Sequence, residues 1–345
     1  MNLYAIGQIP TIDSIMRSYT GEVPGAALML IKDGRILHQK GYGLADLEAR
    51  IPVSASSNFR LASVSKQFTA ASILILAEKK LLHLNQPLTA FFNDFPAYGA
   101  GITIRHLLTH TSGIPDYEDF VADTAFHPQV MDQGVLDILR VQGQPYFKPG
   151  TRYRYSNSAY ALLALIVEQV SGKAYPEFLK ENIFIPLGMN NTLAYINGVE
   201  EPVQRAYGYS RSNEGAWKRK DQSSTSAVLG DGGIYANLED MFKWDQSLYT
   251  EKILPFNRWK EVFTPAVLND GEQVNYGFGW HLKTNSRGEQ VHFHTGSSTS
   301  FRNIYYRIPE RRLSLVLLTN RNEPAEFLMV TLAEKLLEAI PESQR

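Results

Sequence analysis

The sequence contains no cysteine, which excludes a disulfide framework, a thiol nucleophile and every metal site built on cysteine ligands. It also lacks an excess of charge, because 34 lysine and arginine residues face 35 aspartate and glutamate residues. This balance leaves no electrostatic footprint for nucleic acid or for an anionic membrane surface. The longest apolar run, residues 159–167, is far shorter than the ~18 residues that a transmembrane helix needs. We therefore expect the partner to be a small-molecule or peptide substrate.

Residues 1–13 lack a basic stretch followed by an apolar core, so the sequence shows no secretory signal peptide. A cleaved leader would leave a similar N-terminus, and the compartment therefore stays open between the cytoplasm and an exported location. Apolar residues make up 44% and charged residues 20% of the chain, a globular composition that excludes disorder as the main state. The length of 345 residues fits one large domain or two interleaved domains and leaves the oligomeric state open.

Strand patterns lie at both ends of the chain. Residues 26–31 and 36–43 flank a segment with Asp33-Gly34, a pair that favours the positive φ angles of a tight hairpin turn. In the last third, YGFGWHL and EQVHFH flank residues 285–288, and NIYYRI and LSLVLL flank residues 309–312, which predicts an antiparallel meander. Amphipathic helices are predicted near both termini, one carrying Ile12, Ile15, Met16 and Tyr19 and the other Leu328, Leu332, Leu336 and Ile340.

Three helices are predicted in the middle of the chain, over residues 63–82, 159–170 and 175–184. The first two are apolar on most faces, which is typical of helices buried in a large core. The third is expected to stop before Pro186. The pattern predicts an α+β fold, with one antiparallel sheet built from both chain ends, flanked by terminal helices, and an inserted mainly helical region.

The expected domain organisation follows from this pattern. Residues 1–60 and 235–345 form the α/β sheet region, and residues 61–234 form the mainly helical region. We expect the active site in the groove between them, where pockets preferentially form.

Several catalytic and cofactor motifs are missing. The sequence has no G-x-S-x-G nucleophile elbow, no H-E-x-x-H and no P-loop pattern. His292 and His294 can place two imidazoles on one face of a strand, but zinc takes three or four protein ligands and no third partner stands at motif spacing. We therefore expect neither a metal nor a cofactor.

Ser63 and Lys66 stand three residues apart at the start of the first buried helix, which makes them neighbours on one helix face. A serine in a first turn lies near unpaired N–H groups that favour developing negative charge. Burial lowers the pKa of a lysine, and a neutral Lys66 can then activate the serine hydroxyl. The plain alternative is an ordinary serine at a helix start beside an exposed lysine.

Tyr155 and Asn157 end an extended stretch before the second apolar helix, and residues two apart in such a stretch point the same way. A phenol and an amide are then expected to face one pocket. The Y-x-N pattern also begins at Tyr195 and at Tyr235. The alternative role for Asn157 is to cap the helix that follows it.

His294, Thr295 and Gly296 lie at the end of a predicted strand, where Thr295 is expected to point opposite to its two neighbours. Gly296 allows another backbone to approach closely, as a substrate along a sheet edge would. The N–H of Ser297 is a candidate to complete an oxyanion hole with the N–H of Ser63.

In this order, Ser63-x-x-Lys66, Tyr155-x-Asn157 and His294-x-Gly296 resemble the three motifs of the serine β-lactamase and penicillin-binding protein superfamily. The segments FRLASVSKQFTA, ITIRHLLTHTSGIPDY and GDGGIYANLEDMFKW are also similar to it, and the likeness covers about residues 20–320. The branch that the sequence resembles most holds class C β-lactamases, D,D-peptidases, D-aminopeptidases and β-lactamase-like carboxylesterases.

The resemblance implies a metal-independent serine hydrolase that works through an acyl-enzyme. It implies that Ser63 is acylated, that Lys66 accepts its proton, and that Tyr155 shuttles protons as a phenol or as a phenolate stabilised by the lysine. Asn157 would hold the lysine or the carbonyl on the acyl side of the substrate. The N–H groups of Ser63 and Ser297 would form the oxyanion hole.

The sequence departs from the family at His294, where class C β-lactamases have lysine. The loss of a fixed positive charge weakens the case for an efficient β-lactamase. We expect hydrolysis of an ester or an amide by a carboxylesterase or by a D-amino-acid or D,D-peptidase. The alternatives are a penicillin-binding sensor that is acylated but turns over slowly, and an acyltransferase.

Loops near residues 110–130 and 205–230 are expected to wall the pocket. Four aromatic residues of these loops either form an apolar wall or simply pack: Phe120, Tyr207, Tyr209 and Trp217. Arg302 is a candidate for recognising a carboxylate.

His106 and His110 are interpreted as structural histidines, because buried polar groups are normally hydrogen-bonded. Residues 230–233 are interpreted as scaffold or cleft wall.

Overall fold

The computed structural model describes residues 10–121 and 128–341. Residues 1–9, 122–127 and 342–345 lie outside the described residues, and with them most of the segment on which the signal-peptide prediction rests. Within the described ranges, no helix is long and apolar enough to cross a membrane.

The strands of these ranges are β1 (Ala26–Lys32), β2 (Arg35–Tyr42), β3 (Leu44–Asp46), β4 (Ile51–Pro52), β5 (Phe59–Arg60), β6 (Leu193–Ala194), β7 (Tyr209–Arg211), β8 (Trp217–Arg219), β9 (Ile234–Ala236), β10 (Ala266–Val267), β11 (Gln273–Val274), β12 (His281–Thr284), β13 (Gln290–Ser298), β14 (Phe301–Ile308) and β15 (Leu313–Thr319). The helices are α1 (Pro10–Ile15), α2 (Lys66–Glu78), α3 (Ile104–Leu108), α4 (Asp132–Arg140), α5 (Asn157–Ser171), α6 (Tyr175–Leu179), α7 (Ile185–Leu187), α8 (Leu229–Gly232), α9 (Leu238–Ser247), α10 (Phe256–Val262) and α11 (Leu328–Glu338). Short 3₁₀ turns lie at Met16–Tyr19, Ala62–Ser65, Leu88–Ala90, Ala97–Gly101, Tyr117–Asp119 and Pro309–Arg311, and Lys180–Phe184 forms a π-helical turn.

Six antiparallel strands form the main sheet in the order β12-β13-β14-β15-β1-β2. The two ends of the chain meet where β1 pairs with β15, with Ala26 opposite Thr319. The β1–β2 hairpin turns at Asp33 and Gly34, whose φ angles of 50° and 73° are the left-handed values that a tight hairpin turn requires. The predicted α+β fold with a sheet built from both chain ends is confirmed.

Both faces of the main sheet are covered, because side chains alternate along each strand. Leu315 and Leu317 on β15 face a core shared with α1 and α11. Val316 and Leu318 face the opposite core, which continues into α2 and α5 of the helical region. The terminal helices therefore flank the sheet as predicted.

The two apolar helices are buried along most of their length, as their sequence indicates. Helix α2 begins at Lys66, because Ala62–Ser65 forms a 3₁₀ turn, and it ends at Glu78 rather than near residue 82. Helix α5 ends at Ser171, and Gly172 follows it with a φ of 69°, the left-handed conformation common after a helix.

The prediction that the third helix stops before Pro186 is wrong. Helical structure continues from Tyr175 through the π-helical turn and α7 to Leu187, and Gly188 ends it. Pro186 directly follows the π-helical turn and is the second residue of α7.

Helix α11 turns a slightly different stripe toward the sheet than the sequence predicts. Met329, Ala333 and Leu336 are buried, whereas Leu328 is 42% exposed. The helix begins only at Leu328, so the first residue of the predicted stripe lies at its exposed end.

Strand β13 positions the site. Its first part, Gln290–Phe293, pairs with β12. The Ala62–Ser65 turn packs against the later part of the same strand, at Gly296. The start of α2 therefore lies between the edge of the sheet and the helical region.

Candidate active site

Ser63 lies in a tight turn that is held by close backbone packing. A Cβ atom at Gly296 would lie 2.1 Å from the carbonyl oxygen of Leu61, so only glycine allows this contact. Ala62, the residue before Ser63, has a φ of 50°, a left-handed conformation that is uncommon for a residue other than glycine. The backbone that approaches Gly296 is therefore the Ser63 turn itself, whereas the sequence suggested a substrate.

Lys66 is fully buried and makes three hydrogen bonds, which excludes the alternative of an exposed helical lysine. Its Nζ donates to the Oγ of Ser63 at 3.1 Å, to the Oδ1 of Asn157 at 2.8 Å and to the backbone carbonyl of Asp231 at 2.8 Å. The predicted pairing of Ser63 with Lys66 on one face is thus present in the structure.

Burial shifts the pKa values of Lys66 and Asp231 toward each other. Desolvation lowers the pKa of Lys66 to about 8, although the negative charge of Asp231 opposes the shift. Desolvation also raises the pKa of the Asp231 carboxyl to about 8, against the attraction of Lys66. The hydroxyl of Tyr117 donates to Asp231 Oδ2 at 3.0 Å. A neutral amine beside Ser63 is therefore accessible near neutral pH.

Asn157 does not cap α5, because the Oγ of Ser156 accepts from the N–H of Ala159 and performs that role. This leaves the Asn157 side chain free to hold Lys66. The other two Y-x-N copies are structural: Tyr195 donates to the side chain of Asn197, and Asn237 caps α9.

The hydroxyl of Tyr155 is buried and has no hydrogen-bond partner among the described residues. Lys66 Nζ lies 4.8 Å from the centre of its ring, and Ser63 is close enough to lower the pKa of the phenol. Burial nevertheless raises that pKa well above 10, which favours the phenol over the phenolate.

The rings of Tyr276 and His110 pack against the ring of Tyr155. The His110 ring centre lies 4.3 Å from that of Tyr155 and 4.6 Å from that of Tyr276. His110 Nδ1 accepts from the N–H of Ser156, and Nδ1 of His106 accepts from the N–H of Thr103. Both histidines are hydrogen-bonded within the fold, in agreement with their structural interpretation.

His294 is buried and turned toward Tyr276, whose hydroxyl lies 3.0 Å from His294 Nε2. Its Nδ1 lies 2.6 Å from the carbonyl oxygen of Thr295, which can only accept, so Nδ1 carries the proton and Nε2 accepts from Tyr276. Burial holds the pKa of His294 well below its usual 6.5. The third motif therefore contributes no positive charge to the site.

The pairing register of β13 and β14 directs the N–H of Ser297 toward the cleft. Ser298 pairs with Phe301 across a two-residue turn, and Ser297 pairs with Arg302. The pair that closes such a turn exchanges hydrogen bonds, so the backbone groups of the next pair point away from the partner strand. The N–H of Ser297 thus points away from β14, toward the Ser63 turn.

Two chambers meet at Ser63, Glu118, Asn157 and Ser297. We call the first, of about 320 Å³, the polar chamber; it is also lined by Arg60, Tyr117, Ser223, Thr225, Ser226, Ser298 and Thr299. We call the second, of about 690 Å³, the Thr295 chamber; it is also lined by Tyr153, Tyr155, His281, Phe293, His294, Thr295, Glu326, Phe327 and Val330.

The aromatic wall suggested by the sequence is not part of either chamber. Tyr209 is buried and donates to Glu48, and Arg219 and Arg211 lie over the rings of Tyr207 and Trp217. The small hydroxyl residues Ser223, Thr225 and Ser226 line the polar chamber instead. Phe120 is exposed outside both chambers.

Arg302 lines neither chamber. Its Nη1 donates to the carbonyl oxygens of Ser298 and Phe301, within its own hairpin. His292 stacks on Phe263 with the ring centres 4.2 Å apart. In the described ranges, no group of three histidine, aspartate or glutamate residues could hold a metal ion.

Sequence reasoning missed four residues of the site. Asp231 was interpreted as scaffold, and Tyr276, Glu118 and Glu326 were not singled out. A buried acid in a Gly-Asp-Gly-Gly segment is a usable signal for Asp231, because unpaired acids are rarely buried. Glu326 stands 30 residues after Gly296 with no motif around it, so only the fold reveals its position.

Comparison with known proteins identifies the family. The β-lactamase family model matches residues 12–339. Penicillin-binding protein 4* of Bacillus subtilis strain 168 is 34% identical over 312 residues, which are 87% of this chain and 69% of that protein. A D-aminopeptidase of Brucella anthropi is 29% identical over 89% of this chain, which spans 57% of that enzyme. The chain belongs to the β-lactamase family, as the three motifs indicated.

Solved structures agree with this assignment. The octameric penicillin-binding protein homologue from Pyrococcus abyssi matches with a TM-score of 0.81 and 28% identity, over 97% of this chain and 78% of that one. The D-amino acid amidase from Ochrobactrum anthropi SV3 matches with a TM-score of 0.82 and 26% identity, over 97% and 99% of the two chains. The predicted class of enzyme, a serine hydrolase of this fold, is confirmed.

Proposed function

We propose that this protein hydrolyses amides and esters of amino acids that carry a free ammonium group, through an acyl-enzyme on Ser63. The observation that carries the proposal is the contact of a buried lysine of lowered pKa with a serine hydroxyl at 3.1 Å. Neutral amines beside serine hydroxyls serve as general bases in nucleophilic catalysis.

In the acylation step, the Oγ of Ser63 attacks the substrate carbonyl carbon while its proton passes to neutral Lys66. The N–H groups of Ser63 and Ser297 stabilise the oxyanion. The bond to the leaving amine or alkoxide then breaks, and Tyr155 delivers a proton to the departing atom while it receives one from Lys66.

Deacylation reverses the proton movements. Water attacks the ester carbonyl of the acyl-enzyme, its proton passes to Tyr155 and Lys66, and Ser63 leaves with a proton restored to Oγ. Asn157 holds Lys66 in place during both steps, and His294 with Tyr276 supports the strand edge. A raised phenol pKa suits Tyr155 to a relay in which it loses one proton as it gains another.

Glu118 is the proposed binding site for the ammonium group. It lines both chambers beside Ser63. Burial and the neighbouring Asp116 raise the pKa of its carboxyl above the usual 4.5, and the side chains of Lys66 and Asn157 oppose that shift. Relatives named D-aminopeptidase and D-amino acid amidase support this class of substrate. D-amino acid amides are therefore the first compounds to test.

The test compares D-alaninamide with N-acetyl-D-alaninamide in the wild type and in Glu118→Gln. We expect the wild type to prefer the free ammonium by at least ~10-fold in kcat/KM, since a close charge pair contributes on the order of a kcal/mol or more. The preference should fall in Glu118→Gln, with hydrolysis of the acetylated compound retained. An equal preference in both proteins would refute the role of Glu118.

A second function, acylation by β-lactams with slow turnover, is favoured by the 34% identity to a penicillin-binding protein. Single-turnover kinetics with benzylpenicillin separate it from hydrolysis. A stoichiometric burst without a steady state would support this second function, and continued turnover would exclude it. An added alcohol or amine in the same assay detects acyl transfer, a property named for a structure of the same fold.

A further inference from the structure

The Thr295 chamber contains carboxylates and no lysine or arginine among the residues that line it. Glu118 and Glu326 supply its negative charge. Its two histidines do not balance that charge, because burial lowers the pKa of His281 to about 4 and that of His294 well below 6.5.

The hydroxyl proton of Thr295 is engaged in a hydrogen bond within the protein. Its Oγ1 donates to Glu326 Oε1 at 2.6 Å, and Glu326 is half-buried at the wall of the chamber. A hydroxyl bonded in this way offers only its oxygen lone pairs to a ligand. A ligand in this chamber therefore meets acceptors and negative charge at the position of Thr295.

The leaving group lies in this chamber if the proposed function holds, because Tyr155 lines the Thr295 chamber and not the polar chamber. Tyr155 is the proposed proton donor to the departing atom. The acyl part of the substrate, which carries the ammonium group, then lies in the polar chamber, which Glu118 also lines.

We propose that Glu326 is a specificity-determining residue that excludes substrates whose leaving group carries a carboxylate. Bringing a second carboxylate beside Glu326 costs free energy through repulsion and through the loss of solvation. Leaving groups that are neutral or cationic avoid this cost. The favoured substrates are amino acid amides, esters and peptides with a neutral C-terminal end, rather than peptides with a free carboxylate next to the cleaved bond.

The test uses two dipeptides that differ only in the end of the leaving group, D-alanyl-glycinamide and D-alanyl-glycine. Each is also prepared with an acetylated N-terminus. The ratio of kcat/KM between amide and acid reports on Glu326, and the ratio between free and acetylated forms reports on the ammonium site. A failure of this proposal and a failure of the proposed function therefore appear in different ratios.

We expect the wild type to cleave the glycinamide at least ~10-fold better than the acid, because like-charge contacts in interfaces are costly. Glu326→Gln keeps an acceptor for Thr295 but removes the charge, so cleavage of the acid relative to the glycinamide should rise and the ratio should fall below about threefold. The control is Glu310→Gln, which removes the same charge from an exposed turn that follows β14. It should leave the ratio unchanged.

A second measurement needs no variant. In 1 M salt the ratio of the wild type should decrease, because the charge repulsion is partly screened. Where turnover is too slow to measure, inhibition constants of the four compounds against hydrolysis of p-nitrophenyl acetate give the same ratios. A wild-type ratio near one, or the same ratio in the wild type and Glu326→Gln, would overturn the proposal.

Discussion

Gly296 and Leu61 are in such close contact that a Cβ atom at position 296 would lie 2.1 Å from the Leu61 carbonyl oxygen. The contact joins β13 to the turn that carries Ser63. Because the neighbouring atom belongs to the backbone, the turn cannot yield by rotating a side chain.

We therefore expect Gly296→Ala to displace the Ser63 turn. Overpacking of this kind costs about 1–3 kcal/mol of unfolding free energy, and activity should fall by far more than stability because the nucleophile moves. Urea unfolding and kcat/KM measure the two effects. Gly143→Ala is the control, because a Cβ atom there meets nothing within 4 Å. Wild-type activity in Gly296→Ala would show that the contact does not position Ser63.

The variants Asn157→Ala and Ser156→Ala distinguish a role in the active site from a role in capping α5. Ser156→Ala removes the cap of α5 and should cost ~1 kcal/mol of stability. Asn157→Ala removes an acceptor of Lys66 and should lower kcat/KM by ~100-fold or more, with a smaller loss of stability. Thermal unfolding and steady-state kinetics of the two proteins provide the comparison. A large loss of stability with little loss of activity in Asn157→Ala would indicate that Asn157 caps the helix instead.

The pH dependence of kcat/KM should follow Lys66. Burial lowers its pKa from 10.5 to about 8, so activity should rise with pH to a midpoint near 8. No inflection is expected near 6.5 from His110 or His294, whose pKa values burial holds well below that value. A midpoint near 6.5 would instead indicate that a histidine, rather than Lys66, acts as the base.

The same shift affects stability. Between about pH 8 and 10.5 the unfolded chain holds a proton on Lys66 that the folded chain has lost. The contribution of this group to the free energy of unfolding therefore rises with pH across that window.

Asp231 should control the position of the activity midpoint. Its charge raises the pKa of Lys66, so Asp231→Asn should lower the midpoint by about one pH unit while the backbone carbonyl still accepts from the lysine. Asp137→Asn, an exposed acid on α4, provides the control and should leave the midpoint in place. A midpoint that is unchanged in Asp231→Asn, or higher, would contradict this coupling.

The fold could be predicted from the sequence because its signals are local. The Asp33-Gly34 turn, the apolar α5 and the alternating β15 each follow from periodicity and turn chemistry over a few residues. The predictions fail where the backbone geometry departs from a regular helix. At Pro186, for example, the rule that proline ends a helix fails because a π-helical turn precedes it. The late start of α2 has the same origin, because the Ser63 turn is shaped by contact with Gly296.

The site was only partly predictable. The residues of the three motifs could be placed together because their order resembles a known family, and the structure brings Ser63, Lys66, Tyr155 and Asn157 into contact around one cleft. Residues that act through tertiary packing gave no such signal. Tyr276 reaches His294 from outside the motifs, and Glu326 reaches Thr295 from the segment before α11.

The central claim is that Ser63 carries the acyl group. The most direct measurement is intact-mass spectrometry of the protein, quenched in acid during turnover of D-alanine p-nitrophenyl ester, followed by peptide mapping. We predict one D-alanyl adduct, located on the peptide that contains Ser63 and lost in Ser63→Ala together with at least ~1000-fold of the activity. An adduct that persists in Ser63→Ala, or full activity of that variant, would contradict the account.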